Sequence, residues 1–132
     1  MAQENFAGTS ALSFTAGGTI LRGQTLKYSA TPKTLVATTA ITDPVIGVAL
    51  QDATTGNQFP ACTVSGALVM MISGGSVTAG DELMPQATGP GKVITAAGAT
   101  AKSCGTALTA GTTDGDLIEA IFRPTLKSPA NS

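Results

Sequence analysis

Chemistry needs groups that trade protons, attack electrophiles or hold metals, and this chain carries few of them. Its 132 residues include no His, two Cys, seven Lys and Arg, and eight Asp and Glu. Without His the commonest general base is missing, and with it every Ser–His or Cys–His pair. Lys27, Lys33, Lys92, Lys102 and Lys127 each sit beside polar or turn residues, where a solvated ammonium is expected rather than a pocketed base. The close acidic pairs are Asp81-Glu82 and Asp114/Asp116. Asp114-Gly115-Asp116 offers fewer oxygen donors than a calcium loop requires, so Asp beside Gly reads as a turn. Ser73-Gly74-Gly75-Ser76 and Gly89-Pro90-Gly91-Lys92 lack the spacing of phosphate-binding loops and precede no helical pattern; both read as β turns. Cys62 and Cys104 read as reduced, buried small hydrophobes, with a disulfide as the alternative. Met70-Met71 reads as adaptable packing material for a core or an interface. These residues predict no enzyme activity, no cofactor and no metal.

The remaining composition narrows the class further. Ala, Thr, Gly and Ser make up half of the chain, Trp is absent and net charge is -1. With no Lys/Arg cluster, phosphates have nothing to bind, which argues against direct nucleic-acid contact. No apolar stretch approaches the ~20 residues that span a bilayer, and Met1 to Asn5 has neither the basic nor the apolar region of a signal peptide. Ala contributes little buried area at roughly 25 cal/mol per Å². A modest core under a Thr/Ala/Gly surface with few charges is adhesive, and predicts a protein that works attached to something, copies of itself included.

The elements that would present such a surface are short strands. Strand-prone runs are Thr19-Ile20-Leu21-Arg22, Leu26-Lys27-Tyr28-Ser29, Thr34 to Thr38, Val45 to Leu50, two runs within Phe59 to Ile72 broken near Ser65-Gly66, Val93-Ile94-Thr95, Gly105 to Leu108 and Leu117 to Phe122. Turn residues separate them, which predicts an all-β fold, a small sandwich or barrel. The chain also resembles itself. Arg22-Gly23-Gln24-Thr25-Leu26 matches Ala79-Gly80-Asp81-Glu82-Leu83, and Ile46-Gly47-Val48-Ala49-Leu50 matches Cys104-Gly105-Thr106-Ala107-Leu108. Each second block continues into a Gly-containing turn and a further strand, so the fold is expected to have two pseudo-repeated halves. The expected organisation is an extended N-terminal arm over 1–18, a β domain over 19–124 and a flexible C-terminal tail over 125–132. Phe6 and Phe14 stand in the first segment among small residues; they would either begin an ordinary strand or anchor an arm on a partner.

The order of these motifs, Leu21-Arg22-Gly23, Val45 to Leu50 with Asp52-Ala53 and Gly56, Val77 to Leu83, Gly105 to Leu108, then Gly115-Asp116, resembles the small capsid cement (head decoration) proteins of tailed bacteriophages. The resemblance covers roughly residues 17 to 123. It implies a β-rich structural virion protein, made in the host cytoplasm, that binds the exterior of an icosahedral capsid. It also implies a homotrimer at three-fold and quasi-three-fold positions that bridges major capsid protein subunits, with no enzyme activity and no cofactor. Phe6, Phe14 and Arg22 are the residues expected at a capsid or subunit interface. A competing expectation is a small β binding module for a glycan or cell-surface polymer, disfavoured because one Tyr and no Trp supply little aromatic platform.

Overall fold

The computed structural model describes residues 11–96 and 103–124. Every element in it is a strand, because β-branched and small residues recur at period two while Gly, Pro, Asp and Asn interrupt any longer run. Strands β1 (Ala11–Ala16), β2 (Thr25–Tyr28), β3 (Thr34–Ala37), β4 (Gly47–Ala49) and β5 (Gln58–Cys62) close a barrel in the order β1-β3-β2-β4-β5. β1 runs antiparallel to β5 and parallel to β3. Strands β6 (Leu68–Ile72), β7 (Glu82–Pro85), β8 (Val93–Thr95), β9 (Gly105–Ala107) and β10 (Leu117–Phe122) form a second sheet in the order β6-β10-β9-β7-β8.

The two units share one cyclic strand order; the barrel opened between β1 and β3 gives the second sheet. The repeat reaches single hydrogen bonds. Ile20 and Ala53 exchange both backbone bonds, and Val77 and Gly111, 57 and 58 positions later, do the same. Gly23 N–H donates to Ala49 O as Gly80 N–H donates to Ala107 O, and Gly56 N–H donates to Ala16 O as Gly115 N–H donates to Ser73 O. The repeated Gly of the second block has a steric cause. A Cβ on Gly47 would lie 3.0 Å from the Cys62 carbonyl oxygen, and one on Gly105 would overlap the Ile121 carbonyl.

Two cores follow. Ala16, Ile20, Leu26, Leu35, Ala49, Phe59 and Ala61 fill the barrel, and Val69, Met71, Val77, Leu83, Val93, Cys104, Ala107, Ile118, Ala120 and Phe122 fill the second unit. Val45, Val48 and Cys62 belong to barrel strands and loops yet pack into the second core, so the units share apolar surface. Cys62 and Cys104 are free thiols, both buried.

The all-β, two-half expectation describes the fold, with local corrections. Thr19–Arg22 is no strand: only Ile20 makes an isolated bridge, to Ala53. β7, missed because its apolar Leu83, Met84 and Pro85 do not alternate with polar residues, is buried at all three. Residues 11–16, expected inside an arm, instead form β1, because β1 has partners on both edges and Phe14 stands directly opposite Phe59.

The seam between the units explains why one closes and the other does not. In the barrel, Thr15 N–H donates to Lys33 O and ties β1 to β3. At the matching place in the second unit, Ile72 N–H donates instead to Gly23 O of the barrel, at 3.2 Å, and Gly91 O accepts Thr25 N–H at 2.9 Å. Gly91 N–H returns to Thr38 O at 2.8 Å, over a buried pair of hydroxyls, Thr25 Oγ1 and Thr38 Oγ1, 2.7 Å apart. Residues 23–25 thus sit between β6 and the loop before β8, while just past β6 the chain reaches β8 at the Ser73–Val93 bridge.

Candidate interaction surface

Among the described residues no cluster of three or more His, Cys, Asp or Glu is placed to hold a metal ion. Asp116, Asp43 and Asp81 are committed to turns. Asp116 Oδ2 accepts the Thr112 and Thr113 N–H groups at 2.9 and 3.0 Å, and these bonds with the Thr113 hydroxyl hold its carboxyl below the usual carboxylate range. Partial burial works to raise the Asp43 carboxyl. The Thr39 and Ala40 N–H groups and Lys27, whose ammonium lies 3.0 Å away, outweigh it and hold the carboxyl low. Asp81 Oδ2 accepts Thr78 N–H and the Thr95 hydroxyl. The acid–Gly stretches are therefore turns, and Lys92 pairs with Asp114 at 2.7 Å. Complete burial pushes the Cys104 thiol up to about 12, the reverse of what a nucleophile needs.

What the fold does present is an apolar outer face on β6 and β10. Strand alternation sends Val69, Met71, Ile118, Ala120 and Phe122 inward, leaving Leu68, Met70, Leu117, Glu119 and Ile121 outside. Leu68 is 60% exposed and Leu117 47%, while Met70 and Ile121 are half-buried. Ile121 stands directly opposite Leu68, and Glu119 opposite Met70. Leu108, 44% exposed, is tied to the same face by its N–H on Glu119 O. The patch runs into a groove of about 260 Å³ along β6, walled on the barrel side by Ala49 and Leu50 and lined also by Arg22 and Glu119. Single exposed Leu residues need no explanation; several on one strand pair make this face the candidate contact surface.

The residues expected at an interface have separate fates. Arg22 lines the groove, its N–H fixed on Asp52 Oδ1 at 2.7 Å. Phe14 is half-buried in β1 and packs against the barrel core. Phe6 lies outside the described residues. Leu68 and Leu117 were not singled out, although the run Leu117-Ile118-Glu119-Ala120-Ile121-Phe122 carries their signal. A strand with one solvated face alternates apolar and polar residues, and this run holds a single polar residue, so its outer face asks to be covered.

No protein-family model and no curated protein matches the chain. Among solved structures it is similar to the head fiber gp8.5 N base of bacteriophage phi29, with a TM-score of 0.68 and 17% sequence identity, over 89% of this chain and 95% of that one. At that identity the likeness is one of fold.

Proposed function

We propose that this protein is a non-enzymatic structural component of a phage virion that binds the exterior of the capsid and stabilises it by bridging major capsid protein subunits. The observation that carries the reading is the fold shared over nearly the whole chain with the base of a phage head fiber. The β6–β10 face supports it from a separate direction, since it offers an apolar patch with a polar centre at Glu119 and a rim at Arg22. Burying such a face removes apolar area from water at roughly 25 cal/mol per Å². A homotrimer at three-fold or quasi-three-fold positions would hold several copies of the patch against one shell. Linked contacts of that kind exceed a single one by about 10²–10⁴ in avidity. A shell loaded from inside fails where subunits separate, so a protein that must leave several subunits at once resists the failure. The test is sedimentation with emptied, expanded phage heads: saturable co-sedimentation that falls with Leu68→Glu supports the reading, and absence of binding at any protein concentration rejects it.

A further inference from the structure

Arg22 and Glu119 line one groove from opposite sides. Glu119 belongs to β10, which pairs with one edge of β6. Arg22 precedes Gly23, whose carbonyl accepts the Ile72 N–H at the other edge. β6 therefore runs between the two charges, with Leu68 exposed and Met70 half-buried on its outer side. Main-chain bonds hold both charged residues in place. Arg22 N–H donates to Asp52 Oδ1 at 2.7 Å, and Glu119 N–H donates to Thr109 Oγ1 at 3.0 Å. Both residues are exposed, and neither side chain has an ion-pair partner among the described residues. One charge of each sign flanking an apolar strip is complementary to itself when turned through a two-fold axis.

We infer that in solution this face is covered by a second copy of the chain, in a two-fold contact that sets Arg22 of each copy on Glu119 of the other. With the axis lying along β6, Leu68 and Met70 meet their own counterparts. The wall formed by Ala49 and Leu50 then comes over β10 of the other copy, where Leu117 and Ile121 stand outside. Two opposite-charge pairs form, like charges fall on opposite sides of the axis, and each Glu119 meets a cation rather than an acid. Net charge is -1, so the molecule as a whole does little to hold copies apart. A second copy supplies every complement this face asks for, apolar strip for apolar strip and cation for anion. The contact uses the same patch on both copies and so closes at two. The pairing belongs to the free protein and goes beyond the proposed function, whose trimer forms on the shell. Release of the same face to a shell is the one step that rests on that reading.

The test is sedimentation velocity of the full chain over a concentration series, with circular dichroism confirming that each variant is folded. The native chain is expected as a monomer–dimer equilibrium with no larger species. Arg22→Glu and Glu119→Arg each set like charges together, and Leu68→Glu puts an unpaired charge in the apolar strip. Each raises the concentration for half-dimerisation by about tenfold or more. Mixing the Arg22→Glu chain with the Glu119→Arg chain recovers dimers, because both pairs across the axis are again of opposite sign. A native chain that is monomeric throughout, a trimer in free solution, or no recovery in the mixture overturns the inference. Emptied, expanded phage heads added to the native dimer lower its boundary as protein co-sediments with them. An undiminished dimer boundary overturns the proposed function and leaves the pairing standing. A chain that stays monomeric yet binds heads does the reverse.

Discussion

The Gly23 carbonyl oxygen accepts the Ile72 N–H at 3.2 Å across the two units, where the barrel's own repeat uses Lys33 to receive Thr15. That exchange of partner is what leaves the second unit open between β6 and β8 and makes the two halves one body. It also creates the groove, because the inserted segment occupies only the Ile72 end of the β6 edge.

Gly23 and its repeat counterpart Gly80 share a positive φ, 93° and 94°. A Cβ at Gly80 meets nothing within 4 Å, whereas one at Gly23 lies 3.1 Å from both Ile72 Cγ1 and Leu117 Cδ2. Gly80→Ala is expected to lose about 1 kcal/mol for backbone strain alone, and Gly23→Ala to lose roughly another 1 kcal/mol for crowding the seam. Denaturant unfolding of the two variants reads the difference, and equal losses would mean the seam yields freely.

Lys33 carries φ 57°, the one positive value at a non-Gly residue among those described, and its repeat counterpart is Gly91 at 72°. Its side chain is exposed and forms no ion pair with a described residue. Lys33→Gly should therefore stabilise the fold by up to about 1 kcal/mol by relieving left-handed strain. A fall in the unfolding midpoint would show that the larger freedom of Gly in the unfolded chain outweighs that relief.

Leu68 and Leu117 stand outside the core, so Leu68→Glu and Leu117→Glu should change the melting temperature little while lowering affinity for phage heads by about tenfold or more. Tyr28→Glu, at a residue 65% exposed on the barrel, is the control expected to bind as the native chain does. If Tyr28→Glu weakens binding and the Leu variants do not, the docking face lies on the barrel.

Burial raises the Cys104 thiol to about 12, and Cys62 is buried as well. Neither should react with a thiol reagent at neutral pH until the fold opens. Native-state labelling no faster than global unfolding allows is the expected result; fast labelling would reveal a local opening of the shared core.

Asp43 and Asp116 both have carboxyls held below their ordinary value. Their contribution is fully present above the unfolded value near 3.9 and is lost as pH falls through the lower folded values. Stability should accordingly be flat from pH 7 to about 5 and drop below about 4. Asp116→Asn should flatten that drop, as followed by unfolding midpoints across the series; an unaltered acid limb would assign it to other carboxyls.

Much of this was legible in the residues themselves. Val93-Ile94-Thr95 and Leu117 to Phe122 are strands with the expected ends, because a short apolar run bounded by turn residues is a local property. The repeat was legible at Gly23/Gly80 and Gly47/Gly105, since a left-handed turn and a close approach to a carbonyl both admit only Gly cheaply. The scarcity of reactive groups needed no structure at all. What the sequence could not decide was partnership. Whether 11–16 was an arm or a strand depended on Cys62 and Thr34, tens of residues away, which offer it two edges. Arg22 is one residue of a repeated motif until the seam brings Leu50 and Leu68 beside it. Strand character is written in neighbouring side chains, but an edge is satisfied by whichever backbone the fold delivers, and only the tertiary structure delivers Gly23 to Ile72.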